Sequence, residues 1–430
     1  MESTDEIFKK ILIVSSWAPP SIGGPQNLYN LFSQFPDNSY CLLTSYYGID
    51  NYSAKKGTWL KGKYYFYDKP KLSGPFKSQS DEITISIGRE RINKLKLLVK
   101  RLNFLKILLG PFIIFIQIFW IIKEGTKVIK KENIDIILGI SDFGPALIGT
   151  YFLHKISKKP YLLHLYDIYY GNFFPFPGGV LAKIFEKKLF KNAQRIIVTN
   201  DGTKEFYEKR YGKNFAKIEI IYNSVFPENY LKLQTPYKPK EPYTIVYTGR
   251  IYWPQIKSLK NLIRAVDEIK DIKINLDFYV PQPPEYIKSL GFDLNKINLK
   301  SAPPEKMPEI QSKADILFLP LSWHTKSPQI IETATPGKLS DYLISGRPIL
   351  IHAPSWTFLV KYAKENNFAL VVDEENKEKL KEAIRQLIAD KKLAEMLIKN
   401  AQKTFFKNHN AYENKIKLVK IFNGIKLEKN

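Results

Sequence analysis

The chain has 430 residues, 44% of them hydrophobic and 25% charged, which excludes a disordered chain and fits two folded domains better than one core. Lys and Arg number 66 against 42 Asp and Glu, and the net charge of +24 calls for an anionic partner: nucleic acid, a membrane surface or an acidic substrate. The lone Cys41 excludes an intramolecular disulfide and suits a reducing compartment, the five histidines form no metal-spaced cluster with it, and Met1 to Lys10 lacks the apolar h-region of a secretory signal.

Ile11–Val14 is a short apolar run after Lys9 and Lys10, the pattern of a buried parallel strand. A loop follows from Ser16 to Gly24. Pro25 then stands at a first helical position, with Leu28, Leu31, Phe32 and Phe35 at i, i+3, i+4, i+7 spacing. Further strands are expected at Tyr40–Thr44, Tyr64–Tyr67, Ile134–Leu138, Tyr161–Leu165, Arg195–Thr199 and Lys217–Tyr222, most of them separated by helical patterns. Arg89–Lys131 carries eleven Lys and Arg and two Glu. Its centre, Ile107–Ile122, is almost wholly apolar, interrupted by Gly110-Pro111 and Gln117. These residues fall short of the roughly 20 that span a bilayer, and Gly-Pro is expected to break the helix. A buried core helix would explain the apolar run. The flanking lysines add an interfacial reading, with Phe112, Phe115 and Phe119 inserted into an anionic membrane face without spanning it.

Four prolines among lysines, Pro227, Pro236, Pro239 and Pro242, read as an interdomain linker. The alternation then restarts with strand Thr244–Thr248, helix Ser258–Lys270, strands Ile274–Val280 and Ile297–Lys300, helix Pro304–Ala314 and strand Asp315–Leu321. Strands Pro348–His352 and Phe368–Val372 follow, then helix Lys377–Ala389 and a long helical stretch, Lys391–Ile421. The fold class is therefore α/β, with two doubly wound Rossmann-like domains. The expected division is 1–228, a linker at 229–243, 244–405, and a C-terminal helix at 406–430. Such sheets bind ligands beyond the carboxyl ends of their strands, so both domains are expected to face one cleft.

The most informative stretch is Glu332-Thr-Ala-Thr-Pro-Gly-Lys-Leu-Ser-Asp341, which follows the strand-like Asp315–Ser322. Pro336-Gly337 opens a short helix with apolar Leu339, Tyr342 and Leu343, and Gly346 ends it. A helix N-terminus at a sheet edge offers N–H donors to a phosphate, and Asp341, one turn in, can hold ribose hydroxyls. This segment resembles the donor-site segment of GT-B glycosyltransferases, in particular the retaining, family 4-like group that uses nucleotide sugars. Trp17-Ala-Pro-Pro-Ser-Ile-Gly-Gly24 resembles that group's loop bordering the donor phosphates and the acceptor. The resemblance implies donor contacts at Gly23 and Gly24. Tyr247-Thr-Gly-Arg250, followed by Lys257-Ser-Leu-Lys-Asn-Leu-Ile-Arg-Ala265, is similar to a further motif of the group. There Arg and Lys neutralise the leaving diphosphate, which implies that role for Arg250 and Lys257 and a close approach at Gly249. Ser258 replaces the usual Gly.

The group often shows two glutamates separated by seven residues; here eight separate Glu332 from Asp341, and the second is Asp. The resemblance implies Asp341 on the ribose, Glu332 near the sugar, and Gly337, Lys338 and Leu339 at the diphosphate, Lys338 through its backbone N–H or its charge. A branch that builds lipid-linked surface polysaccharides has a His-x-x-Asp arrangement, which His164 and Asp167 match; His164, Tyr166 and Asp167 all remain candidates for the polar group beside the donor sugar.

The expected function is a retaining glycosyltransferase, peripheral on the cytoplasmic face of the cell membrane. It would move a sugar from a UDP- or GDP-linked donor to a lipid-linked or cell-surface glycan. No Asp-x-Asp occurs, so neither a metal nor another cofactor is expected, and the Arg/Lys pair would do the metal's work. A nucleotide-sugar epimerase of similar fold would need acid/base carboxylates around the sugar and leaves the basic apolar segment without a purpose. A nucleic-acid-binding protein would need a reading module, and the sequence holds no such motif.

Overall fold

The computed structural model describes residues 9–21, 23–49, 58–68, 103–141, 144–174, 176–323, 325 and 327–427, without the side chains of 47 and 103–111. It divides into two compact units, 1–222 with 413–430, and 223–412.

The first unit holds β1 (Ile11–Ser15), α1 (Gly24–Phe32), β2 (Tyr40–Thr44), β3 (Lys63–Phe66), α2 (Asn103–Lys131), β4 (Ile136–Ile140), α3 (Pro145–Ser157), β5 (Tyr161–Leu165), α4 (Gly178–Asn192), β6 (Arg195–Val198), α5 (Asp201–Tyr211) and β7 (Ile218–Ile220). These strands form a parallel sheet in the order β3-β2-β1-β4-β5-β6-β7. β1, β2, β4 and β5 are buried along their whole length, as expected for strands covered on both faces.

On one face, Leu28, Phe32 and Phe35 meet Leu418, Val419 and Phe422 of the last helix in one core, and the Phe32 and Phe422 rings lie 6.2 Å apart. The other face carries α2 and α3. They approach closely because both offer glycine: a Cβ on Gly149 would lie 2.5 Å from Ile121, and one on Gly125 would lie 2.7 Å from Leu153. α2 runs unbroken through Gly110-Pro111, against the sequence expectation. Proline removes one helical hydrogen bond at about 3 kcal/mol, and packing of the following turns against α3 outweighs that. Residues 89–102 of the basic segment lie outside the described residues. No helix among the described residues is long and apolar enough to cross a membrane.

The second unit holds α6 (Glu228–Leu231), β8 (Tyr243–Thr248), α7 (Ile256–Glu268), β9 (Ile274–Tyr279), α8 (Pro284–Ser289), β10 (Asn298–Lys300), α9 (Met307–Ser312), β11 (Ile316–Pro320), α10 (Pro328–Thr333), α11 (Leu339–Ile344), β12 (Ile349–His352), α12 (Phe358–Asn366), β13 (Leu370–Val372), α13 (Lys377–Ala389) and α14 (Lys391–Thr404). Its parallel sheet runs β10-β9-β8-β11-β12-β13. α12, α13 and α14 start on side-chain caps from Thr357, Asn376 and Asp390. A π-helical turn at Phe405–His409 precedes the last helix, α15 (Ala411–Asn423), so the expected single helical stretch is divided.

The proline-rich stretch expected as a linker packs into the second unit instead. Tyr230 and Tyr237 are buried, Gln234 donates to the Ile344 carbonyl, and Arg347 donates to Thr235. Two buried aromatics supply the apolar area that a free linker lacks.

Both sheets reverse strand order next to their first strand, β1 beside β4 and β8 beside β11. The carboxyl ends at these switch points are where open α/β sheets bind ligands.

Candidate functional site

At the second switch point β8 ends at Thr248, and Gly249 follows with φ 101°, a conformation that suits glycine. A Cβ there would come within 3.3 Å of Lys338 Cε and Nζ, so the missing side chain lets Lys338 lie across the strand end. Lys338 Nζ sits 3.7 Å from the centre of the Tyr247 ring. It is buried and has no hydrogen-bond partner among the described residues. Burial pushes this ammonium down to about 7, against the pull of Asp341. Thr335 Oγ1, three residues earlier, is also buried without a partner among the described residues. Unpaired buried donors in a native fold call for a ligand or another explanation.

Asp341 lies in the first turn of α11, and its Oδ1 accepts a hydrogen bond from the Tyr230 hydroxyl of α6. Burial raises its carboxyl to about 6; the Tyr230 bond opposes that rise. The next residue, Tyr342, is fully buried, and its hydroxyl accepts from the Thr248 N–H at 3.0 Å. α11 is thus pinned to the end of β8, and Gly249, Lys338 and Asp341 are brought together.

The phosphate donor expected at Leu339 is already engaged: its N–H bonds the Pro336 carbonyl at 2.9 Å, and its side chain is fully buried. The Lys338 ammonium, by contrast, has no hydrogen-bond partner among the described residues. Gly337 borders open space. Glu332 lies half-buried on α10. A separate cavity of ≈ 480 Å³ is lined by Thr244, Tyr279, Ala302, Lys306 and Ile310, and none of the Lys338 cluster lines it.

Arg250 is exposed just beyond Gly249, its carbonyl held by the Tyr247 hydroxyl at 2.7 Å. Lys257, on the first turn of α7, is exposed and lies 2.7 Å from Glu375. Ser322, after β11, accepts from the Lys257 and Ser258 N–H groups through Oγ and so caps α7. The expected pair therefore stands at one switch point, with Lys257 already held by a carboxylate.

In the first unit Gly23 has φ 90° and open space around it, and Gly24 begins α1. A Cβ on Gly24 would lie 3.2 Å from the Tyr166 ring, and that ring centre lies 4.9 Å from His164. His164 is fully buried, neither ring nitrogen has a hydrogen-bond partner among the described residues, and burial pushes it down to about 4. It is neutral at physiological pH. The Tyr166 hydroxyl is buried too. Asp167 is the most exposed of the three, although the surrounding atoms desolvate its carboxyl and raise it above its ordinary value.

Residues 96–229 match the pattern of Glycosyltransferase Family 4, and residues 242–390 match that of Glycosyl transferases group 1. The chain belongs to the GT-B glycosyltransferases. No curated protein matches the sequence. Solved structures match the glycosyltransferase in fold. A sucrose-phosphate synthase from Thermosynechococcus elongatus has a TM-score of 0.64 at 12% identity, covering 96% of this chain and 98% of that one. Anabaena HepE in complex with UDP and glucose also has 0.64 at 12% identity, covering 97% and 100%. WaaG, a glycosyltransferase involved in lipopolysaccharide biosynthesis, has 0.59 at 14% identity, covering 96% and 100%. Both doubly wound sheets of this glycosyltransferase agree with that fold.

The sequence reading missed Tyr230 and Glu375. Each meets its partner across more than a hundred residues of chain, where no motif spacing reports it.

Proposed function

We propose that the glycosyltransferase takes a sugar from a nucleotide-sugar donor, UDP- or GDP-linked, and transfers it with retention to a lipid-linked or cell-surface glycan at the cytoplasmic membrane face. The observation that carries the donor half is Lys338: a buried ammonium with no hydrogen-bond partner among the described residues, at the end of β8 and beside the carboxylate of Asp341. A diphosphate would supply the missing acceptors, and Asp341 would hold a ribose hydroxyl. Structures of HepE hold UDP and UDP-glucose, which supports a nucleotide-sugar donor here. WaaG's part in lipopolysaccharide biosynthesis supports a glycan acceptor.

In the proposed reaction the bond from the anomeric carbon to the diphosphate oxygen breaks. The acceptor oxygen bonds the same face of the sugar, and its proton passes to the leaving phosphate. Lys338 and Arg250 stabilise the charge that develops on the diphosphate, which needs no metal. Asp167, exposed in the first unit, is the group proposed beside the donor sugar, with Tyr166 and His164 behind it.

Incubation with a panel of nucleotide sugars, following release of the nucleoside diphosphate, tests this reading. Slow hydrolysis of one UDP- or GDP-sugar is expected. Appearance of an epimerised nucleotide sugar without release would favour the epimerase, and no turnover or binding of any donor would overturn both.

Lys338 gives an independent check. A diphosphate beside it favours the charged form, so nucleoside diphosphate binding at about pH 8 should take up protons. Calorimetry in buffers of different ionisation enthalpy measures this uptake, which Lys338→Met should abolish.

A further inference from the structure

The first unit exposes an apolar strip built by more than the basic segment. On α2, Phe112, Phe115 and Phe119 are 63%, 56% and 59% exposed. Beyond them the same face of α2 continues as Lys123, Lys127 and Lys130, at i, i+4, i+7 spacing, so one stripe changes from apolar to basic along the helix, with Lys127 paired to Glu124 at 2.8 Å. On α4, Val180 and Ile184 are exposed one turn apart, and Lys188 extends their row. Lys183, Lys187 and Lys191 form the adjoining row. The acid of α4, Glu186, is fully buried and bound to Arg210 at 2.7 Å, so the outward face of α4 carries no carboxylate. Just before α4, Phe173 and Phe176 are 64% and 58% exposed.

The two helices border one cluster. Ile114, Ile118 and Ile122 of α2 and Leu181 and Phe185 of α4 pack together with Ile148 and Phe152 of α3. Phe115 and Phe119 follow Ile114 and Ile118, and Val180 and Ile184 precede Leu181 and Phe185. The exposed residues therefore flank that shared cluster on both helices. Right-handed crossovers place α2, α3 and α4 on the same side of the sheet.

We infer that α2, α4 and the phenylalanines preceding α4 form one docking face for an anionic lipid bilayer. The occupant follows from charge: exposed aromatics bordered by rows of lysine, on a chain of net charge +24, fit an interface that is apolar inside and negative at its surface. The inference deepens the membrane-side reading of the function. Phe173 and Phe176 follow Asp167 within the same connection from β5 to α4, so a membrane-borne acceptor would arrive beside Asp167.

The test uses the full chain in co-sedimentation with phosphatidylcholine vesicles, with and without phosphatidylglycerol, over a salt series. Binding should require phosphatidylglycerol and weaken with salt, because exposed charges are screened over roughly 8 Å at physiological ionic strength. Phe173→Ser with Phe176→Ser should lower partitioning by roughly ten-fold or more, and Val180→Asn with Ile184→Asn should also lower it, because each removes apolar area from the inserted face. These positions are exposed, so the melting temperature and the nucleotide-sugar hydrolysis in solution should stay unchanged.

A second readout does not depend on lost binding. An environment-sensitive dye on Phe176→Cys should shift to the blue on anionic vesicles; the native Cys41 is buried. Equal binding to neutral vesicles would overturn the assignment, as would full binding by both α4-side variants or an unshifted dye. Vesicle binding without nucleotide-sugar hydrolysis would leave the docking face standing and remove the donor reading. Retention on heparin without vesicle binding would instead make nucleic acid the partner.

Discussion

Arg250→Ala should lower turnover by about 2–4 kcal/mol of transition-state stabilisation, the cost of removing one preorganised donor to a developing charge. Arg250 follows Gly249 at the carboxyl end of β8, and the Tyr247 hydroxyl fixes its carbonyl, so its backbone is set before any donor arrives. Lys257 differs. Glu375 already holds its ammonium at 2.7 Å, and both side chains are partly exposed, so this pair is weak and salt-sensitive. To meet a diphosphate, Lys257 must leave Glu375. Lys257→Ala should therefore cost less than Arg250→Ala, and Glu375→Gln should tighten donor binding by releasing the lysine. Steady-state kinetics on the two single variants and the double variant measure both terms. Near-wild-type turnover by a folded double variant would remove the pair from the donor site.

Asp341→Ala should weaken binding of the free nucleoside diphosphate more than Asp341→Asn, because Asn keeps one acceptor for the ribose. Titration calorimetry on the three proteins reads this directly, and equal affinity in all three would leave Asp341 a buried partner of Tyr230 and nothing more. The pH dependence follows from the raised carboxyl. Its folded value is about 6 against an ordinary 3.8, with burial as the largest cause. Protonation removes an acceptor, so nucleotide affinity should fall as pH drops through about 6. Stability moves the other way: between pH 3.8 and about 6 the native chain keeps a proton that the unfolded chain has lost. This group's contribution is therefore full below that window and lost as pH rises through it. Tyr230→Phe removes a bond that favours the carboxylate, so the midpoint of the binding profile should shift to higher pH. A purely structural role for Tyr230 would change affinity without moving the midpoint.

Much of the architecture is legible in the residues. Apolar runs such as Ile11–Val14 and Tyr161–Leu165 appear as strands because a strand covered on both faces must be apolar throughout, whatever lies beside it. Pro25 opens α1 and Gly346 ends α11 for equally local reasons, a fixed φ and a permitted positive one. Segments whose conformation rests on packing read less well. α2 runs through Gly110-Pro111 because its later turns are held by α3, and the proline-rich stretch 229–243 packs because Tyr230 and Tyr237 have a surface to bury against.

The sequence by itself determined two α/β units, because hydrophobic period and turn chemistry act over a few residues, and its resemblance to the glycosyltransferase group singled out Gly249, Arg250, Lys338 and Asp341. The tertiary structure alone decided which of these groups are paired. Tyr230 reaches Asp341 across 111 positions and Glu375 reaches Lys257 across 118. It also left Lys338 Nζ enclosed without a hydrogen-bond acceptor among the described residues, and put the exposed residues of α2 and α4 on the borders of one cluster. Pairing and exposure depend on which faces of distant elements meet, and the spacing of residues along a chain carries no record of that.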